Sequence, residues 1–269
     1  MAKTILITGS SSGFGKLTAE LFQKKGWNVA ATMRSPEKES DLRTLPSVKV
    51  YELDVTKSDT VKSAVAAIID DFGSIDVLVN NAGFGTLGAL EAATIEVVRK
   101  QLDTNVIGVI ETTKAVLPQM RKQRSGVIIN VSSVAGRIGL PFNTLYNTSK
   151  FAVEGLTESL QYEAGLSGVR VKLIEPTGFK TDFGSRSLAN FGIDGIQDYE
   201  EAYGKFLNGF EDHFSDDVQA VADIIYTAAV DESEQLRYPV GAGGQEYLEA
   251  RRTMDDVSFK TMVKNMVGI

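Results

Sequence analysis

Thr4-Ile5-Leu6-Ile7-Thr8-Gly9-Ser10-Ser11-Ser12-Gly13-Phe14-Gly15 is the stretch on which the fold turns. A β-branched, apolar run leads into a glycine-spaced turn, and an amphipathic stretch, Gly15–Lys25, follows. The pattern reads as strand, tight turn and helix. Glycines at 9, 13 and 15 let the backbone approach a pyrophosphate and let strand and helix pack closely. The helix N-terminus adds free N–H groups and a partial positive charge. Gly9, Ser11, Ser12, Gly13, Phe14 and Gly15 are therefore the expected cradle of a dinucleotide.

Outward from this turn, short apolar runs alternate with helical patterns. Strands are expected at Thr4–Thr8, Asn28–Met33, Val48–Leu53, Val77–Asn80, Val127–Ser132 and Val169–Glu175. Helices are expected at Gly15–Lys25, Ser58–Asp71, Ile95–Lys122 and Thr144–Leu166. The repeated β-α alternation predicts a doubly wound parallel α/β sheet, Rossmann-like, with helices on both faces. After Pro176 the rhythm stops. Thr177–Phe214 is expected to be an insertion over the active edge, with a lid at about 182–214. A helix at Asp216–Val230, a short strand near Leu236–Val240 and one or two terminal helices complete a single domain over residues 1–269.

The strand ends carry the candidate ligand contacts. Strand 2 ends Ala31-Thr32-Met33-Arg34. An acid there would bind a ribose 2′-hydroxyl, whereas Arg34 can fork onto a 2′-phosphate, with Ser11 and Ser12 as further donors. The expected cofactor is therefore NADP. Strand 3 ends Leu53-Asp54-Val55. The Asp54 carboxylate can accept from an adenine amino group or cap the helix beginning near Ser58. Asn80-Asn81-Ala82-Gly83 closes strand 4, small enough for cofactor and chain to pass closely, with amides that can tie neighbouring strand ends together.

Chemistry concentrates in Ser132-Ser133-Val134 and Tyr146-Asn147-Thr148-Ser149-Lys150. Tyr146 and Lys150 share one helix face, and Ser133 closes strand 5 at the ligand-binding edge. Reduction of a carbonyl places negative charge on oxygen and requires a proton. A free phenol is a sluggish donor near neutrality, and a nearby ammonium stabilises its anion. Tyr146 is thus the expected general acid, Lys150 its electrostatic partner and a ribose ligand, and Ser133 the group positioning substrate oxygen. Ser132 is the alternative serine.

The ordered set of glycine turn, Asn80–Gly83, Asn105, Ser133, Tyr146 and Lys150 resembles the short-chain dehydrogenase/reductase family in its single-domain form, closely over residues 3–182. Gly139-Leu140-Pro141-Phe142-Asn143 and the helix after it resemble the 17β-hydroxysteroid dehydrogenase-like and retinol dehydrogenase-like branches. The resemblance implies that Asn105 helps hold a water linking Lys150 to solvent, and that Pro176 and Thr181 contact the cofactor. It also implies a homodimer or homotetramer built on the helices flanking strand 5. The chain departs from the family at Pro176-Thr177-Gly178, where Pro-Gly is usual. The aromatic content of 182–214 points to an apolar or bulky substrate under a lid, or to rings that only pack that lid, with Leu140, Phe142 and Leu145 on the opposite wall. The function expected is hydride transfer between a nicotinamide and a small-molecule carbonyl or secondary alcohol. A catalytically silent NADP-binding sensor or scaffold is the alternative, and a transient-hydride epimerase or dehydratase a third.

Composition narrows the field. A formal charge of −7 opposes nucleic-acid binding as the main activity. The absence of cysteine removes disulfide, thiolate and zinc-thiolate chemistry. The lone histidine, His213, sits in a polar stretch and reads as solvated, so no metal site is expected. No secretory signal or membrane span is evident, and the expected location is the cytoplasm.

Overall fold

The computed structural model describes residues 2–180, 188–209 and 214–269. Among these, seven strands pair in the order β3-β2-β1-β4-β6-β7-β9, all in parallel. They are β1 (Thr4–Thr8), β2 (Asn28–Met33), β3 (Val48–Glu52), β4 (Val77–Asn80), β6 (Gly126–Val131), β7 (Val169–Pro176) and β9 (Arg237–Val240). The chain runs outward from β1 to one edge, returns to β4 and continues to the other edge, as the βα alternation predicts. The crevice for a ligand opens where the order reverses, at the carboxyl ends of β1 and β4.

Strand periodicity sorts the core into two layers. Ile5 and Ile7 pack with Ala19 and Phe22 of α1 (Gly13–Lys24) and with Val221 and Ile225 of α7 (Gln219–Val230). Leu6 faces the other way, with Val65 and Ile68 of α2 (Ser58–Phe72), Val116 of α4 (Gly108–Gln123) and Ala164 of α5 (Thr144–Gly165). Alternate residues of one strand therefore serve opposite helix layers, which requires an apolar run throughout.

Two features differ from the sequence expectation. Ile95–Lys122 is not one helix: α3 (Ile95–Leu102) passes through a π-turn at Asp103–Ile107 into α4. The junction packs tightly, since a Cβ on Gly108 would lie 2.7 Å from the Val55 side chain. The segment after Pro176 is not wholly irregular. It holds β8 (Leu188–Gly192), which pairs in parallel with β5 (Gly85–Gly88), and helix α6 (Gln197–Gly209). Gly88, at φ +146°, leaves room that the Phe191 ring fills, where a Cβ would stand 2.4 Å from it. The end of the chain forms α8 (Gly244–Thr253) and α9 (Asp256–Val267). Thr181, Phe183, Phe210 and His213 lie outside the described residues.

Candidate active site

A cavity of about 550 Å³ runs along the carboxyl edge of the sheet. At one end it is lined by Gly9, Ser11, Ser12, Gly13 and Phe14, with Arg34, Asp54 and Val55 beside them. Asn81, Ala82 and Gly83 form its floor, and Ser133, Tyr146, Lys150 and Pro176 its far end. One continuous cleft thus joins these expected cofactor and catalytic positions. Gly15 and Asn105 stand behind its wall.

Backbone contacts hold the cradle open. A Cβ on Gly15 would sit 2.3 Å from the Gly9 carbonyl oxygen and 2.6 Å from the Asn81 side-chain nitrogen, so only glycine fits. Gly9 turns the chain at φ +71°. Asn81 Nδ2 donates to the carbonyls of Thr8 (2.9 Å) and Gly9 (3.1 Å). The Thr8 hydroxyl oxygen receives the N–H groups of Asn81 and Ala82, both at 3.0 Å. One threonine therefore fastens the loop after β4 to the end of β1. Its position inside the first strand gave no signal of this task.

Arg34 is exposed at the cavity wall and makes no ion pair among the described residues. Ser12 precedes α1 in extended conformation, and its hydroxyl caps no N–H there. Unspent donors beside a helix N-terminus suit a phosphorylated ligand. Asp54 does not cap α2: its Oδ1 accepts from the Thr56 N–H (3.0 Å) and hydroxyl (2.8 Å). The carboxylate is fixed at the cleft, where a donor on a ligand can reach it.

At the far end, α5 presents Tyr146 and Lys150 one turn apart. The Tyr146 hydroxyl is in hydrogen-bond contact with Ser133. Ser133 Oγ accepts from the Ala135 N–H (3.1 Å) and donates to the Pro176 carbonyl (3.2 Å). Lys150 Nζ donates to the Val131 carbonyl at 2.8 Å and lies 5.7 Å from the centre of the Tyr146 ring. Burial pushes the phenol up to about 12, against a small opposing pull from Ser133. Burial also brings Lys150 down to about 8, opposed by the negative charge of Glu154. In the chain itself burial, rather than the ammonium, dominates Tyr146. Its phenol is protonated at neutral pH, as a proton donor must be.

Asn105 lies in the π-turn, a helical irregularity often found at functional sites. Its amide is fully engaged: Oδ1 accepts from the Phe84 N–H (3.1 Å), and Nδ2 donates to the Phe84 carbonyl (2.9 Å) and to Ser149 Oγ (3.1 Å). Asn147, which sequence reasoning passed over, holds the loop after Ser133. Its Nδ2 reaches the carbonyls of Ala135 (2.6 Å) and Ile138 (2.7 Å), and Oδ1 accepts from Leu140 N–H (3.2 Å). A buried asparagine inside a helix, where propensity disfavours it, was the available signal.

At the departure from the usual Pro-Gly, the Thr177 N–H continues the sheet by donating to Val240 (2.9 Å). Gly178 is required by the ring of Phe214, which a Cβ would meet at 2.2 Å. Leu140, Asn143, Leu188, Ala189 and Phe214 line the Tyr146 end. Phe142 instead packs edge-on with Tyr203 at 4.9 Å and with Tyr199 at 6.3 Å, and lies beside Phe206. Leu145 is buried. These rings fasten α6 to the body of the protein, so only part of the aromatic segment faces the cleft.

The family model for short chain dehydrogenases matches residues 3–190. This chain is a short-chain dehydrogenase. It is 43% identical over 207 residues to the 3-ketodihydrosphingosine reductase of Bacteroides thetaiotaomicron, covering 77% of this chain and 75% of that one. It is 36% identical over 252 residues to mouse 17-beta-hydroxysteroid dehydrogenase type 1, covering 87% and 72%. In three dimensions this dehydrogenase is similar to a short-chain dehydrogenase from Streptomyces avermitilis, with a TM-score of 0.86, 31% identity, and coverage of 100% and 98%. It also matches ElxO solved with NADP bound, with a TM-score of 0.76, 29% identity, and coverage of 91% and 100%. Among the described residues no group of three or more His, Asp or Glu side chains could hold a metal. No helix among them is long and apolar enough to cross a membrane.

Proposed function

We propose that this dehydrogenase is an NADP-dependent reductase of apolar or bulky carbonyl compounds, working reversibly on the matching secondary alcohols. The observation that carries the reading is a protonated, buried phenol in contact with Ser133, at the end of a cleft whose opposite end holds Arg34, which makes no ion pair among the described residues. The glycine cradle, the Ser11 and Ser12 hydroxyls and the α1 N-terminus would hold the pyrophosphate and 2′-phosphate, with Asp54 toward the base and Lys150 toward the nicotinamide ribose. When bound, NADPH supplies a hydride. The Ser133 hydroxyl turns from the Pro176 carbonyl to donate to and orient the substrate oxygen. Tyr146 delivers its proton to that oxygen as charge develops there, and Lys150 stabilises the phenolate left behind. Because the Asn105 amide is spent on Phe84 and Ser149, its part in any water relay falls to the backbone of the π-turn.

Leu140, Leu188, Ala189 and Phe214 give the substrate end its apolar character, and the similarity to a 3-ketodihydrosphingosine reductase makes a long-chain 3-keto amine the first compound to try. Ile107, Phe151, Tyr162 and Leu166 are exposed hydrophobics around the α4–α5 face, Leu166 at 80%. They support the proposed homodimer or homotetramer through these helices. Nothing in the family comparison favours the silent sensor. NADPH oxidation should be followed against that amine, ketosteroids, quinones and keto esters. Tyr146→Phe should lower turnover about a thousandfold while leaving NADPH binding within a factor of a few. A Tyr146→Phe enzyme that still turns over near the wild-type rate refutes the assignment.

A further inference from the structure

Behind the Tyr146–Lys150 turn, away from the cleft, two glutamates are buried together. Glu154 stands one helical turn after Lys150 and is 5% exposed; Glu175, next to Pro176 at the end of β7, is 1% exposed. Arg237 Nε lies 3.1 Å from Glu154 Oε2 and 3.4 Å from Glu175 Oε1, so both acids lean on one guanidinium nitrogen. Arg137 reaches Glu175 Oε1 at 3.2 Å, and Arg237 also pairs with the exposed Glu158 at 2.6 Å. Glu154 Oε1 is buried and has no hydrogen-bond partner.

The cluster touches the active site at two points. Glu175 precedes the residue whose carbonyl receives the Ser133 hydroxyl. At Gly136, a Cβ would meet Ser132 Oγ at 2.7 Å, the Glu154 Cγ at 2.9 Å and the Lys150 carbonyl at 3.0 Å. Ser132 lines the cleft, and its hydroxyl too is buried without a partner. Neither glutamate is needed for cofactor or substrate contact.

We propose that Glu154 and Glu175 form a carboxylate pair which, clamped by Arg137 and Arg237, shares one proton and supports the charge of Lys150. This rests on the assignment of Tyr146 and Lys150 above. Two buried carboxylates sharing one guanidinium nitrogen repel each other, and a proton on one relieves both. Burial, then the charge of Glu154, pushes Glu175 up to about 7, while Arg137 and Arg237 pull it back. Glu154 is also the neighbour whose charge supports the Lys150 ammonium against burial. The groups facing the pair are Arg137, Lys150, Glu158 and Arg237. The proton resides on the Glu175 side, and Glu154 stands one helical turn from the lysine. Both are positioning residues.

The two isosteric variants should act differently. Side-chain carbon NMR of the full-length, cofactor-free protein, labelled at Glu and Lys, gives the titrations, with Lys150 assigned through Lys150→Arg. In the wild type one glutamate should titrate near 7, and that signal should vanish in Glu175→Gln. Glu154→Gln should lower the Lys150 midpoint by about one pH unit, whereas Glu175→Gln should leave it unchanged or raise it. A merely structural role would move neither midpoint. No wild-type glutamate titrating above 6, or a Lys150 midpoint unchanged in Glu154→Gln, overturns the proposal, and the wild-type titration decides even if a variant fails to fold. Turnover by Tyr146→Phe tests the underlying assignment separately, because these titrations do not depend on catalysis.

Discussion

Thr8→Val keeps the shape of a buried side chain and removes one oxygen, and the consequence can be worked out bond by bond. The threonine oxygen accepts from the N–H groups of Asn81 and Ala82 at 3.0 Å each and donates to the Val79 carbonyl at 3.3 Å. Asn81 retains a second acceptor, Val79 O at 3.1 Å, so its N–H is weakened rather than orphaned. For the Ala82 N–H no other acceptor is recorded among the described residues. Orphaning this part-buried donor costs about 1–3 kcal/mol, and the lost hydroxyl bond about 1 kcal/mol more. Thr8→Val should therefore destabilise the cofactor-free protein by about 2–4 kcal/mol. Thr8→Ser, which loses only a methyl group, should cost about 1 kcal/mol. Urea unfolding with the slope checked for constancy measures both. Because Asn81–Gly83 floor the cleft, NADPH affinity measured by calorimetry should also fall about tenfold, the equivalent of about 1.4 kcal/mol, in the valine variant alone. A Thr8→Val protein within about 0.5 kcal/mol of wild type would refute the hydrogen-bond accounting.

Arg34→Asp should weaken NADPH binding at least about a hundredfold while changing NADH binding little, by removing a forked donor and adding repulsion toward a 2′-phosphate; equal losses for both, measured by calorimetry, would contradict the proposed discrimination. Lys150→Met should abolish turnover yet stabilise the cofactor-free fold. A lysine brought from 10.5 to about 8 by burial carries a charge penalty of roughly 3 kcal/mol at neutral pH. The sign follows from proton binding: between pH 8 and 10.5 the unfolded chain holds a proton that the fold does not. Wild-type stability should accordingly rise over that window and close on the methionine variant. A stability gap that stays constant from pH 7 to 10.5 would count against the buried charge.

Much of this architecture was readable because its signals are local. The apolar runs of β1, β2, β4, β6 and β7 are buried on both faces and cannot be mistaken for alternating surface strands. The Tyr146–Lys150 spacing is a property of one helix, and the glycines at 9, 13 and 15 announce a turn. The misreadings are non-local. Gly85-Thr86-Leu87-Gly88 looks like a loop, and becomes a strand only because Leu188–Gly192 arrives to pair with it. The π-turn within Ile95–Lys122 leaves the helical hydrophobic pattern almost intact, so periodicity does not mark it. Asp54 is an open choice rather than a misreading, a cap or a ligand group in sequence, and the local Thr56 contacts decide against the cap. The Glu154–Glu175 pair was invisible because its members sit on different elements and their clamp, Arg237, arrives from a third. Phe142 reads as a wall of the substrate site, and its role in packing depends on Tyr199, Tyr203 and Phe206 more than fifty residues away.

The strand order has a bearing on biosynthesis. Strands β3, β2, β1 and β4 all come from the first eighty residues and include the glycine cradle, whereas Ser133, Tyr146 and Lys150 are made later. A nascent chain can thus assemble a nucleotide-gripping half before it owns any chemistry. Until Gly126–Val131 emerges, the open side of β4, Val77–Asn80, offers unpaired backbone and apolar side chains to whatever is nearby. Ribosome pausing or truncation between residues 80 and 126 is the stage at which aggregation, or rescue by early nucleotide, would have its greatest effect.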